Sequence, residues 1–170
     1  MSPDQKTVAI GAASGIVTML LATWGLSEVM PALADGAAPG ERLAFAAKWI
    51  ALAAAPLFFA VVAVGNARFK SEAIDPTLGK ESRAMTVNGR VVDNSVQQYL
   101  LFVVAVLAVA ASATGPELSL VAGAAITFLA MRFAFWIGYR IHPLYRAFGM
   151  AGTSYLNVLL FGAAIWMAWR

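Results

Sequence analysis

The chain has no cysteine in its 170 residues, and its only histidine is His142. The missing cysteines exclude disulfide bonds, thiolate metal ligands and a cysteine nucleophile. A single imidazole also falls short of the two or three that a histidine-built metal site uses. We therefore predict no metal centre within one chain.

Charged side chains are scarce as well, at 12% of the residues against 61% hydrophobic ones. A soluble domain carries about 25% charged residues, so this composition indicates a membrane protein. The net charge of +3 comes from basic residues clustered near the ends of apolar segments. That distribution is typical of membrane topology and argues against nucleic-acid binding.

Five apolar stretches each approach the ~20 residues that a spanning helix needs. They predict an all-α, integral membrane bundle. Gly115-Pro116 leaves only a short turn between the third and fourth stretches, which we expect to form an antiparallel hairpin. The stretches are Thr7–Met30, Leu43–Asn66, Val96–Ala113, Leu118–Tyr139 and Thr153–Trp169.

Two connections between these stretches are basic, residues 67–93 and residues 140–152. They fall on the same side of the membrane if all five stretches span it. The positive-inside rule then places both connections and the N-terminus in the cytoplasm. In a bacterium the corresponding membrane is the inner membrane.

The first stretch allows two interpretations. Lys6, the apolar run and the small residues before Asp35 imitate a secretory signal with a cleavage site. The run is longer than an ordinary signal core, and this favours a retained fifth helix. Gly11 and Gly15, four residues apart, would let such a helix pack closely against a neighbour.

Arg132 lies in the middle of the fourth apolar stretch. A charge at that depth costs at least a few kcal/mol and commonly faces the bundle interior. Phe135, Trp136 and Tyr139 follow it at helical spacing and would share its face. Because no acid lies within the neighbouring stretches, we interpret Arg132 as part of an anion site; a structural role in the bundle is the alternative.

Arg90, Asn94 and Gln97 are spaced i, i+4 and i+7, so they share one face of a helix. Asn94 and Gln97 can each donate and accept hydrogen bonds to a polar ligand. The alternative is a hydrogen-bonded clamp between helices, with Arg90 reaching the membrane surface.

Further candidates lie at the same membrane face. His142, Tyr145 and Arg146 follow the fourth stretch directly, and Arg68 ends the second. Arg146 adds a cation close to Tyr139, whereas a lone histidine at this position more often serves as an interfacial hydrogen-bonding residue.

The pattern Arg90-x3-Asn94-x2-Gln97, followed by Arg132-x6-Tyr139 and by His142-x2-Tyr145-Arg146, resembles the MAPEG family of membrane-associated proteins in eicosanoid and glutathione metabolism. The likeness implies a four-helix membrane domain over residues 43–170. Residues 1–42 would then add an N-terminal transmembrane helix and a loop.

The resemblance also implies a homotrimer that binds glutathione, as a substrate, between subunits near the cytosolic face. Arg90, Asn94, Gln97 and Tyr139 would contact the tripeptide, with His142 and Tyr145 beside them. Arg68 would come from the neighbouring chain, and Arg132 would support the site from within the bundle. Arg146 would be the catalytic cation that stabilises the thiolate.

Two residues depart from the family pattern. Members usually have an acid where this chain has Gln97, and commonly a tyrosine or histidine where it has Phe135. The resemblance thus leaves two functions open: a glutathione transferase or peroxidase acting on lipophilic electrophiles, and a non-catalytic protein that binds lipids. A small transporter is a third, disfavoured by the lack of broken helices or internal symmetry.

Overall fold

The computed structural model describes all 170 residues, and its regular secondary structure is all helical. Two 3-10 turns lie between the third and fourth helices, and one precedes the fifth. The helices are α1 (Pro3–Val29), α2 (Pro39–Ala53), α3 (Ala55–Phe69), α4 (Arg83–Ser112), α5 (Ser119–Ile141) and α6 (Arg146–Trp169).

Five segments are long and apolar enough to cross a membrane, because α2 and α3 together make one span, Pro39–Phe69. The predicted number of spans is confirmed, and the chain is a multi-pass membrane protein. Pro56 has no backbone N–H, so the Leu52 carbonyl loses its helical partner. The helix is accordingly interrupted at Ala54, whose N–H bonds the carbonyls of both Ile50 and Ala51.

Two helices begin well before the apolar stretches that they contain. Those stretches start at Val96 and Thr153, whereas α4 and α6 begin at Arg83 and Arg146. Hydropathy marks only the apolar part of a helix, whereas the backbone ladder continues until a cap ends it. For α4 that cap is Ser82, whose hydroxyl accepts from the Met85 N–H at 3.3 Å.

The earlier starts change the connections at this end of the bundle. Only residues 70–82 and 142–145 lie outside the α-helices there, not the longer loops expected from the sequence. Arg90, Asn94 and Gln97 therefore lie well inside α4, and Arg146 is the first residue of α6. Glu81 lies in the first of these connections and Pro143 in the second, and both line one cleft at this end of the bundle.

α1 packs against α5 and α6, and glycine makes the close approach possible. A Cβ on Gly15 would lie 2.2 Å from the Phe148 carbonyl oxygen of α6. On α5, a Cβ on Gly123 would lie 2.7 Å from the Ser27 hydroxyl of α1. The predicted packing role of Gly11 and Gly15 is confirmed, since Gly11 also faces α6, at Ala147.

The apolar core lies among α1, α2, α4, α5 and α6, with α5 at its centre. Phe102 of α4 and Phe128 of α5 pack there with ring centroids 4.4 Å apart. At the end of the bundle opposite the basic connections, Arg42 donates to the carbonyls of Ala111 and Ala113. These bonds satisfy carbonyl groups that the end of α4 would leave unpaired.

Candidate functional site

The Arg132 guanidinium is buried inside the bundle and is only 1% exposed. It donates to Ser95 Oγ at 2.6 Å, to Asn94 Oδ1 at 3.0 Å and to Thr153 Oγ1 at 3.4 Å. All three acceptors are neutral, and no carboxylate pairs with this cation. Arg132 thus joins α4, α5 and α6 through hydrogen bonds alone.

This arrangement divides the roles predicted for Arg132 and Asn94. Arg132 has no surface for a ligand, so any effect on a bound anion acts through its field and through Asn94. The Asn94 oxygen is held by Arg132, which leaves the Asn94 amide N–H groups as donors without an acceptor in the chain. The positive charge therefore lies behind the donor it orients.

Phe135 fills the space between Arg132 and Tyr139. The Arg132 guanidinium carbon lies 4.2 Å from the Phe135 ring centroid, and the rings of Phe135 and Tyr139 meet edge to face at 5.9 Å. A cation over a desolvated aromatic face gains up to about 2 kcal/mol. Phe135 is therefore an apolar support of Arg132 and not a polar contact of the cleft.

Two guanidinium groups converge on the Tyr139 side chain. Arg90 donates from Nη1 to the Tyr139 hydroxyl at 3.4 Å, which links α4 to the end of α5. Arg146, at the start of α6, lies over the Tyr139 ring with its guanidinium carbon 4.8 Å from the centroid. Three of the predicted site residues are thus brought together from three helices.

A cleft of about 410 Å³ opens beside Arg90 and Tyr139. It faces the end of the bundle that carries the basic connections. Arg68 stands at its edge, where its guanidinium forms an ion pair of 2.5 Å with Glu81. Within one chain Arg68 is therefore already paired. The cleft is lined by Glu81, Arg83, Thr86, Val87, Arg90, Tyr139 and Pro143.

Gln97 points away from the interior of its own chain. It is exposed, as are Arg90 and Asp93 on the same side of α4. Further along, the same side of α4 carries exposed apolar residues such as Leu101 and Val104. One chain alone does not bring Gln97 into the cleft.

His142 and Tyr145 lie in the short connection between α5 and α6. The His142 Nδ1 accepts from the Leu144 N–H at 3.3 Å, and the His142 ring packs near Tyr145 at 5.2 Å. Both side chains are exposed. The geometry gives His142 a role in the turn, and neither residue lines the cleft.

Sequence reasoning missed several polar residues that hold the site together. Ser95 and Thr153 bond Arg132, and Asn88 accepts from the Trp136 indole N–H at 2.9 Å. Asn88 and Ser95 are seven residues apart on the buried side of α4, a spacing that could have identified them. No sequence signal links Thr153 to Arg132, because their contact joins two different helices.

A second depression lies in the outer surface between α1 and α6. It measures about 300 Å³ and is mostly apolar. Arg146 lines it as well as covering the Tyr139 ring, so it lies between the groove and the cleft. The groove is lined by Val8, Ala12, Pro143, Leu144, Arg146, Ala147, Met150, Ala151, Ser154 and Tyr155.

The cleft can attract and hold an anion. Arg83 and Arg90 line it, Arg146 covers the ring of Tyr139 beside it, and Glu81 is neutralised by Arg68. A cation close to a thiol lowers its pKa by favouring the thiolate, which is the nucleophilic form. The cations at this site would therefore stabilise a carboxylate or a thiolate.

The sequence model of the MAPEG family matches residues 46–166 of the chain. The match covers α2 to α6 and thus every candidate site residue, whereas α1 lies outside it. No curated protein and no solved structure matches the chain.

Proposed function

Because the chain belongs to the MAPEG family, we propose that it is a membrane-bound glutathione transferase or peroxidase that conjugates or reduces lipophilic electrophiles. The observation that carries the proposal is the convergence of Arg90 and Arg146 on Tyr139 beside the cleft. The family includes such enzymes and also other members, so the activity itself is the proposal.

In this proposal Arg90, Asn94, Gln97 and Tyr139 contact the tripeptide, and His142 and Tyr145 lie at its edge. Arg132 acts from behind by orienting Asn94. The bond between Arg132 and the Asn94 oxygen supports this assignment, because it leaves the amide donors free for a ligand carboxylate.

Arg146 is the proposed catalytic cation. The glutathione thiol loses its proton to solvent, and Arg146 stabilises the thiolate that remains. The sulfur then attacks the electrophilic carbon, so that a C–S bond forms while the leaving group departs with its electron pair. The place of Arg146 between cleft and groove supports this role, since a lipophilic substrate would reach the sulfur from the membrane side.

We further propose that the protein is a homotrimer with the site between subunits. Arg90, Asp93 and Gln97 are polar side chains on an outward face of a spanning helix. Polar groups at such positions favour contact with protein over contact with lipid. Arg68 of a neighbouring copy would then exchange its pairing with Glu81 for a contact with the ligand.

The proposed location is a bacterial inner membrane, with the N-terminus and the cleft on the cytosolic side. Support comes from the basic residues of the two connections at that end of the bundle. The division into residues 1–42 and 43–170 is likewise part of the proposal.

The direct test is turnover by the purified protein in detergent with glutathione and 1-chloro-2,4-dinitrobenzene. We expect the conjugate to form above the uncatalysed rate, and thiolate absorbance to rise when glutathione is added to enzyme. An Arg140→Gln variant is the matched control, because Arg140 is an exposed cation at the end of α5 that does not line the Arg90 cleft. No rate above background together with no thiolate signal refutes the enzyme.

A second function, lipid binding without catalysis, is favoured by the apolar groove between α1 and α6. Binding an acyl chain needs no contacts with a tripeptide, so the affinity for lipid would not depend on Gln97. Native mass spectrometry separates the two functions. Retained lipid together with no glutathione binding supports the lipid-binding protein and contradicts the transferase.

A further inference from the structure

Asp93 is the only acidic residue in α3, α4, α5 and α6. The sequence placed it just outside the third apolar stretch, but α4 begins ten residues before it, at Arg83, so Asp93 lies inside a spanning helix. Its neighbour Asn94 is bonded to Arg132, nine residues before the end of α5. At 1.5 Å per residue, this level is roughly 13 Å from the end of α5.

The Asp93 carboxylate has no counter-charge in the chain. The three ion pairs of the structure join Arg68 to Glu81, Lys80 to Glu72 and Arg170 to Glu117. None of them involves Asp93, whose side chain is exposed on the outward side of α4. An unpaired charge on the outward face of a spanning helix is unfavourable and indicates that a cation from outside the chain occupies this place.

Asp93 belongs to an exposed stripe of α4, formed by Arg90, Asp93 and Gln97, and the cation in this stripe is not paired with it. Arg90 lies one turn earlier at i−3, a spacing that brings Cβ atoms to about 5–6 Å. Its guanidinium nevertheless bonds the Tyr139 hydroxyl and forms no ion pair with Asp93. The stripe thus presents a separate positive and negative group side by side.

Such a pair of groups is complementary to a zwitterion of the α-amino-acid type. Arg90 matches the carboxylate and Asp93 matches the ammonium group that is bonded to the same carbon. Charge-assisted hydrogen bonds of this kind are about twice as strong as neutral ones. Glu81 is the only carboxylate that lines the cleft itself, and its ion pair with Arg68 engages it.

We propose that Asp93 is the ammonium-binding group of the site and recognises the free α-amino group of a zwitterionic peptide. The inference rests on the proposed function, in which that peptide is glutathione. It assigns to Asp93 the negative charge that Gln97, four residues further along the same stripe, does not provide. Asp93 is accordingly a specificity-determining residue and takes no part in the transfer of sulfur.

The test compares two ligands on the full-length protein in detergent by calorimetric titration. One ligand is glutathione, and the other is its analogue with hydrogen in place of the α-amino group. We expect the wild-type protein to bind glutathione more tightly, and Asp93→Asn to weaken glutathione about tenfold or more. The same substitution should leave the affinity for the analogue unchanged.

Two further variants keep the test informative if Asp93→Asn folds poorly. Asp93→Glu retains the charge and should retain the preference for the amine. The double variant Asp93→Asn with Gln97→Glu moves the charge one turn along the stripe and should recover part of the preference. Asp35→Asn, at the opposite end of the bundle, is the matched control and should change neither affinity.

Equal binding of both ligands by the wild-type protein overturns the inference, as does an equal loss of both in Asp93→Asn. A change in oligomeric state on Asp93→Asn would instead show that Asp93 pairs with a cation of a second copy, which also overturns it. If the wild-type protein binds neither ligand, the proposed glutathione site fails and this assignment fails with it. The ligand comparison therefore distinguishes the two failures.

Discussion

The Arg132 guanidinium donates to the Asn94 side-chain oxygen at 3.0 Å, so two residues expected to contact a ligand contact each other. The bond spans α4 and α5 in the buried interior. It fixes which edge of the Asn94 amide is free, because the oxygen is already used. A buried cation thus determines that this position offers hydrogen-bond donors and not an acceptor.

Arg132→Leu tests this relationship. We expect the variant to insert into membranes normally, because a central arginine disfavours insertion by about 2.5–3.5 kcal/mol and its removal does not hinder it. Affinity for glutathione should fall about tenfold as Asn94 loses its orientation. The measurements are the amount of protein in the membrane fraction and calorimetric titration. Failed insertion would show that Arg132 is structural. Unchanged affinity would show that glutathione binding does not depend on the orientation of Asn94.

Tyr139→Phe removes the acceptor that holds Arg90. We expect glutathione affinity to fall by about 1 kcal/mol, the typical net value of one hydrogen bond. Titration calorimetry measures the change. Tyr155→Phe is the matched control, because Tyr155 is exposed on α6 and makes no hydrogen bond within the chain. Equal effects of the two substitutions would contradict a specific role for Tyr139.

Arg146→Gln should shift the ionisation of bound glutathione. Removing the cation disfavours the thiolate, so the pKa of the bound thiol should rise towards that of a free thiol. In a pH titration the thiolate absorbance should therefore emerge at higher pH, and turnover at neutral pH should fall with it. Arg146→Lys should restore part of the effect.

His142→Ala provides the comparison for Arg146. Because His142 accepts a hydrogen bond within its own turn and lies outside the cleft, we expect a smaller loss of turnover than in Arg146→Gln. Complete and equal losses in both variants would show that the acid-base chemistry is wrongly assigned.

Gly15→Ala tests the packing of the N-terminal helix. Its Cβ would lie 2.2 Å from the Phe148 carbonyl oxygen, so α1 must move away from α6. Overpacking of this kind typically costs about 1–3 kcal/mol, and the thermal unfolding temperature in detergent should fall. Gly25→Ala is the control on the same helix, since nothing lies within 4 Å of its added Cβ. A lowered unfolding temperature in the control alone would refute close packing at Gly15.

The sequence predicted the helical membrane class and the spans because both depend on local properties. Arg90, Asn94 and Gln97 do share one helix, as their spacing indicated, since helical periodicity follows from backbone geometry. The apolar stretches are shorter than α4 and α6, because hydropathy does not report where polar turns extend a helix.

What the sequence determined by itself is therefore the number of spanning segments, the polar stripe of α4 and the presence of a cation in the interior of the fourth span. Only the tertiary structure decided that Arg132 is enclosed by Asn94, Ser95 and Thr153, and that Arg90 and Arg146 meet at Tyr139. The physical reason is that spacing along a chain fixes neighbours within one helix. Contacts between helices depend on how their surfaces pack, and in this bundle glycines such as Gly15 and Gly123 decide how closely they approach.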